Sequence, residues 1–158
     1  MTIAVRYMTK DGWPAGPWTN EPDLEVWTDE PTGYRCLIHR TSMGNFCGYV
    51  EVPDTHPWHG SDYHDPVDGS KRDPDDFEWR NRIDGKVAVH GGLTFSGDRE
   101  QVVGSGWWFG FDCAHLYDLV PTMLRDGYHS QDESIYRDLA YVRNECWSLA
   151  RQLAEVSA

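Results

Sequence analysis

Apolar and polar positions alternate most regularly over residues 34–40 and 46–52, with Gly44-Asn45 turn chemistry between them. Two such runs predict a β-hairpin. On the first strand Tyr34, Cys36 and Ile38 share one face, and Arg35, Leu37 and His39 the other. Both faces are mixed, so each expects a cover. Residues 107–111, Trp-Trp-Phe-Gly-Phe, are too apolar for a surface loop and too short for a membrane span, which predicts a buried strand. Asp112 then reads as the N-cap of a helix beginning at Cys113, with His115 and Asp118 on one face. Shorter strand candidates lie at 3–7, 25–27 and 86–90. The last meets Gly91-Gly92, a pattern that suggests a bulge or a close backbone approach. Gly97, Gly104 and Gly106 mark a loop, and Pro121 opens a short helix closed by Gly127.

The C-terminal pattern is the most regular. Ser130-Gln131-Asp132-Glu133 matches a capping box, and Ile135, Leu139, Val142, Cys146, Leu149 and Leu153 follow at steps of four and three. This predicts an amphipathic helix over 131–155. The expected architecture is a single α+β domain over 1–158: an antiparallel or mixed sheet with the long C-terminal helix packed on one face. An irregular N-terminal segment (1–33) and a long polar loop (53–78) complete it. The apolar stripe, about three heptads long, also suits a homo-oligomer through this helix, and Trp13 and Trp18, if exposed, offer a second such surface.

Composition changes the picture in two ways. There are 8 Trp among 158 residues, so large rings carry much of the core. With 26 acids against 14 bases, the net charge of −12 repels phosphate backbones and argues against nucleic-acid partners. Cys36, Cys47, Cys113 and Cys146 contain no CxxC pair and read as small core residues. No stretch is apolar enough for a membrane helix and no signal-like N-terminus is visible, so the expectation is a cytoplasmic protein with reduced thiols.

Candidate chemistry gathers in three places: His56, Trp58, His59 and Tyr63 in the long loop; His90, Gly91, Gly92 and Thr94; and Asp112, His115 and Asp118. The first half of the long loop, dense in His, Trp and Tyr, reads as ordered and functional. Residues 65–76 read as solvated and mobile, and Asp73, Asp75 and Asp76 match no calcium loop. As a binding site, these residues supply rings for stacking (Trp58, Tyr63, Trp107 or Trp108), glycine amides for an anion, and His90, His115 or Thr94 as hydrogen-bonding groups. As a metal site, His56, His59, His90 and His115 would hold zinc or another divalent metal, with Asp112 or Asp118 completing the shell and Glu51 as a base. No HExxH or zinc-finger spacing accompanies them. The third reading is structural, with the imidazoles bracing loops. Cys113 beside Asp112 and His115 is disfavoured as a nucleophile, because the carboxylate raises the thiol pKa.

The segments His-Gly-Gly-Leu-Thr-Phe at 90–95, Trp-Trp-Phe-Gly-Phe-Asp-Cys-Ala-His at 107–115 and Tyr-Arg-Asp-Leu-Ala-Tyr-Val at 136–142 resemble a family of small, uncharacterised phage and prophage proteins. Gly48-Tyr49-Val50 and His56-Pro57 extend the resemblance from about residue 34 to the C-terminus. It transfers no catalytic residue. It implies a phage-encoded protein in the host cytoplasm, where small accessory proteins counter defence by sequestering or cleaving nucleotide-derived immune signals. The leading expectation is a non-enzymatic binder of a small nucleotide-like ligand, with no cofactor, in one pocket made by all three groups. The alternatives are a metal-dependent hydrolase of a nucleotide-type substrate and an acidic inhibitor that docks on a host protein through Trp13, Trp18 and the acidic loop.

Overall fold

The structure, a computed structural model, describes residues 2–68 and 79–156. Six strands, β1 (Thr2–Arg6), β2 (Leu24–Thr28), β3 (Arg35–Arg40), β4 (Phe46–Val52), β5 (Phe95–Arg99) and β6 (Gly104–Asp112), form one sheet in the order β1-β2-β3-β4-β6-β5. Every pairing is antiparallel. Three short helices, α1 (Ile83–Lys86), α2 (Glu100–Val103) and α3 (Pro121–Arg125), sit in the connections, and α4 (Leu139–Ala154) lies across the sheet. The fold is α+β. No helix among the described residues is long and apolar enough to cross a membrane.

Strand alternation sorts the side chains onto two covered faces. Cys36 and Ile38 of β3, Phe46 and Val50 of β4, and Phe109 and Phe111 of β6 face α4, which returns Val142, Cys146, Leu149 and Leu153. All ten are at most 1% exposed. Full burial of an aliphatic or aromatic side chain contributes about 1.5–3 kcal/mol, so this seam dominates the core. Gly48 allows the helix to approach: a Cβ there would overlap the Phe111 ring and crowd Cys146 Sγ. On the opposite face Leu24, Val26, Leu37, Tyr49 and Trp108 are covered by Phe95, Val102 and Val103. The Arg99 guanidinium sits 4.3 Å above the Tyr49 ring. The mixed faces of the hairpin thus each find the cover that their pattern demands.

Several elements differ from expectation, each for a physical reason. The helix begins at Leu139, where Asp138 accepts the Tyr141 N–H at 2.8 Å, and not at residue 131. The Ser130 motif closes a turn on itself, with Asp132 N–H donating to Ser130 Oγ, while Ile135 bridges to Asp118 and is 57% exposed. The rest of the stripe is buried within the chain, so it offers no seam to a second copy. Residues 87–90 form no strand. Ala88 exchanges two hydrogen bonds with the Gln152 side chain, and His90 N–H reaches Glu145, so α4 side chains take the place of a neighbouring strand.

No helix follows Asp112 either. Its Oδ1 accepts the Ala114 N–H at 3.0 Å in a tight turn. Gly97 and Gly104 belong to β5 and β6, with α2 between them, and do not form a loop. Trp18 is 2% exposed, packs edge-on against Tyr136 and donates to Pro14 O, so it presents no association surface; Trp13 is half-buried. The mobile stretch expected over 65–76 lies mostly outside the described residues; 65–68 are ordered by bonds to 81–83.

Candidate functional site

The end of β6 at Asp112, the turn at 113–118, the pass at 88–94 and the first turn of α4 meet in one polar cluster. Asp118 is its centre. The carboxylate is 1% exposed and accepts from His90 Nε2 at 2.7 Å, Arg137 Nε at 3.0 Å and the His115 N–H at 3.0 Å. Burial alone would raise its pKa, but these three donors outweigh burial and hold the carboxyl below its usual value. With Asp118 ionised, His90 Nε2 carries the proton it donates, which leaves Nδ1 to face the Tyr141 hydroxyl at 2.8 Å. The Arg137 guanidinium lies 4.9 Å over the Tyr141 ring. Both nitrogens of His90 are therefore engaged, and three distant segments are bound into one bracket.

The double glycine works through close approach. Gly91 and Gly92 adopt φ of +66° and +80°, and the His115 ring lies where a Cβ on Gly91 would stand. Nothing lies within 4 Å of a Cβ on Gly92, which faces open space. The Gly92 N–H donates to Val89 O at 2.8 Å, so it is closed to an anion. Thr94 is exposed and donates to Asp112 Oδ2 at 2.9 Å. His115 Nε2 is buried, 3.4 Å from Asp112 Oδ1, and has no hydrogen-bond partner among the described residues. Beside this face Leu116 is 82% and Tyr117 66% exposed, and Tyr117 is held at φ +71°, unusual for a side chain of that size.

The loop residues form a different group. His56 Nε2 meets Leu153 O at 2.8 Å, at the last turn of α4, and its Nδ1 accepts the Trp58 N–H at 3.0 Å. Burial lowers the His56 pKa against the opposing bond that its Nε2–H donates to Leu153 O, which suits a neutral ring. Trp58 is buried against Phe109, His59 lies 3.2 Å from Asp54 and beside Trp107, and the Tyr63 N–H donates to Ser96 Oγ. Leu153 stands twelve steps beyond Tyr141 on the helix, which places the His56 end of this group about 18 Å along α4 from the Asp118 bracket. The residues expected in one pocket thus form two clusters at opposite ends of the helix. His56, His59, His90 and His115 do not converge, and among the described residues no group of three His, Cys, Asp or Glu is placed to hold a metal ion.

Nucleophilic chemistry is not prepared here. Burial pushes the Cys113 and Cys146 thiols far up and Cys47 up to about 11, so all three stay protonated. Burial and the nearby Glu145 also raise the Tyr141 phenol. Sequence reasoning missed Arg137, Tyr141 and Glu145. Their four-residue spacing onto one flank, continued by Gln152, was a legible signal, since that flank carries every α4 side-chain bond to the 88–90 pass. Comparison of the chain with family models, with curated proteins and with solved structures gives no match.

Proposed function

We propose that the protein binds a small nucleotide-like ligand without transforming it, at the surface over the Asp118 bracket. The observation that carries this reading is the division of labour in the cluster. His90, Asp118 and Tyr141 are satisfied internally, while Thr94, the half-exposed Asp112 carboxylate that it bonds, the open edge at Gly92 and the Tyr117 ring stand at the surface. Tyr117 stacks on a planar base, Thr94 and Asp112 meet sugar hydroxyls, and Arg137 offers the local cation that an anionic group needs in an acidic protein. His90 and Asp118 are positioning residues. In the phage setting that the sequence resemblance implies, the ligand is a host immune signal and binding removes it from the free pool.

The test is incubation of the protein with cyclic nucleotides and ADP-ribose derivatives, followed by chromatography before and after heat denaturation. A ligand that leaves the free pool and returns intact on heating is expected, with Tyr117→Ala and Asp112→Asn each weakening capture about tenfold at unchanged melting temperature. A new product peak would replace this reading with the hydrolase, and no capture of any compound would end it. A protein partner is the second reading, favoured by exposed Leu116 and Ile135 beside Tyr117.

A further inference from the structure

We propose a second, independent binding site in the cleft between the end of β2 and the outward flank of α4, which takes an uncharged aminopurine or aminopyrimidine ring. The cleft measures about 370 Å³ and is walled by Trp27, Asp29, Glu30, Pro31, Trp147 and Arg151. That size suits a small organic molecule. Trp27 is 6% exposed, and its indole Nε1–H is buried without an acceptor among the described residues. Buried indole N–H groups are ordinarily bonded, and this one belongs to a residue of the cleft wall, where an acceptor brought by a ligand would satisfy it.

The walls are fixed before any ligand arrives. Asp29 is buried and its carboxylate accepts from both the N–H and the hydroxyl of Thr32, at 3.3 and 2.6 Å. Its backbone closes the 29–34 turn through bonds with Tyr34 and Gly33. On the helix, Arg143, Trp147 and Arg151 recur at four-residue steps along one flank, and Arg143 is anchored by two bonds to the buried Glu25 at 2.9 and 2.6 Å. Trp147 is 37% exposed, which leaves ring surface for stacking, and the Arg151 guanidinium supplies a second planar wall. An indole donor and the Glu30 carboxylate in the lining of one cleft suit a ring edge with an acceptor next to an amino group. Adenine and cytosine have that edge. The exposed Glu30 carboxylate, with the buried Asp29 behind it, disfavours a phosphate on the ligand, which separates this site from the one over Asp118.

Heteronuclear NMR tests this directly, because each tryptophan contributes its own indole N–H signal. Adenine titrated into the full chain should move the Trp27 signal saturably, together with Trp147, whereas AMP should bind more weakly and indole, which has no acceptor, should leave Trp27 N–H in place. Trp147→Ala should weaken adenine about tenfold while the remaining indole signals keep the positions of the parent. Trp27→Phe should weaken it several-fold while its ring still packs. No movement of Trp27 at millimolar adenine, an equal response to indole, or unchanged affinity in Trp147→Ala would each overturn the proposal.

Discussion

Two buried polar knots tie α4 to the rest of the chain, and they are built on different chemistry. At the Arg40 knot a fully buried guanidinium donates to Asp23 at 2.5 Å, to Gly44 O at 2.8 Å and to the Tyr136 hydroxyl at 2.8 Å, and lies 3.9 Å over the Phe46 ring. Glu21 joins it to the helix by accepting from Tyr136 at 2.6 Å and from the Leu139 N–H at 2.7 Å. Lys10 adds a second cation on Asp23. At the Asp118 bracket the central donor is an imidazole, and the residues above it face solvent. A guanidinium keeps its charge at every accessible pH, whereas an imidazole does not. The first knot docks the N-terminal segment onto the start of α4. The second lies beneath an outward surface, the one proposed above to take a ligand.

Breaking each knot should show that difference. Arg40→Ala leaves the buried Asp23 and the half-buried Glu21 around a lost charge, and should cost about 3–5 kcal/mol in denaturant unfolding. A loss below about 1 kcal/mol would mean that the knot is not a scaffold. Asp118→Asn should cost less, about 1.5–3 kcal/mol at neutral pH, the range for hydrogen bonds to a charged group. Its pH dependence sharpens the comparison. The folded Asp118 pKa lies below its ordinary value of 3.8, so its stabilisation is complete above about pH 5 and disappears as pH falls through the lowered folded value. Melting temperatures of Asp118→Asn should thus decline less steeply in acid than those of the parent. An identical acid limb in both proteins would sink this account.

The smallest expected effect is a difference between neighbours. Gly91 and Gly92 both have left-handed backbone, so either alanine costs about 1 kcal/mol. Gly91→Ala must also displace the His115 ring, which adds about 1 kcal/mol or more. Equal melting temperatures for the two variants would show that His115 moves freely and is not braced by the turn.

Local patterns carried the sheet well. The 34–40 and 46–52 hairpin, the buried strand at 107–111 and the stripe from Leu139 to Leu153 all follow from period-two or helical alternation, because burial on one face imposes that alternation directly. The same patterns misled where a distant side chain competed for the backbone. Residues 86–90 alternate like a strand, yet Gln152 and Glu145 occupy their polar groups. Ser130 and Glu133 match a helix start, yet Ile135 pairs with the 117–119 segment and delays the helix to Asp138.

The candidate site was half legible for the same reason. His90, Gly91, Asp112, His115 and Asp118 stand out in the sequence as residue types, and their meeting with each other was foreseeable only as a possibility of sheet topology. The bonds that define the cluster join positions 28 and 51 residues apart, and no local spacing encodes such pairs. His56 has the same composition signal as His90, but it caps the far end of α4. Alternation and charge balance thus determined the central hairpin, the 107–111 strand, the helix face and the acidic character by themselves, because each depends on neighbours along the chain; glycine placement misled at Gly97 and Gly104, which lie in β5 and β6. Which histidines share a site, which tryptophan is left with an unbonded N–H beside a cleft, and where α4 begins were decided by tertiary packing, because directional polar contacts depend on what the folded chain brings within about 3 Å.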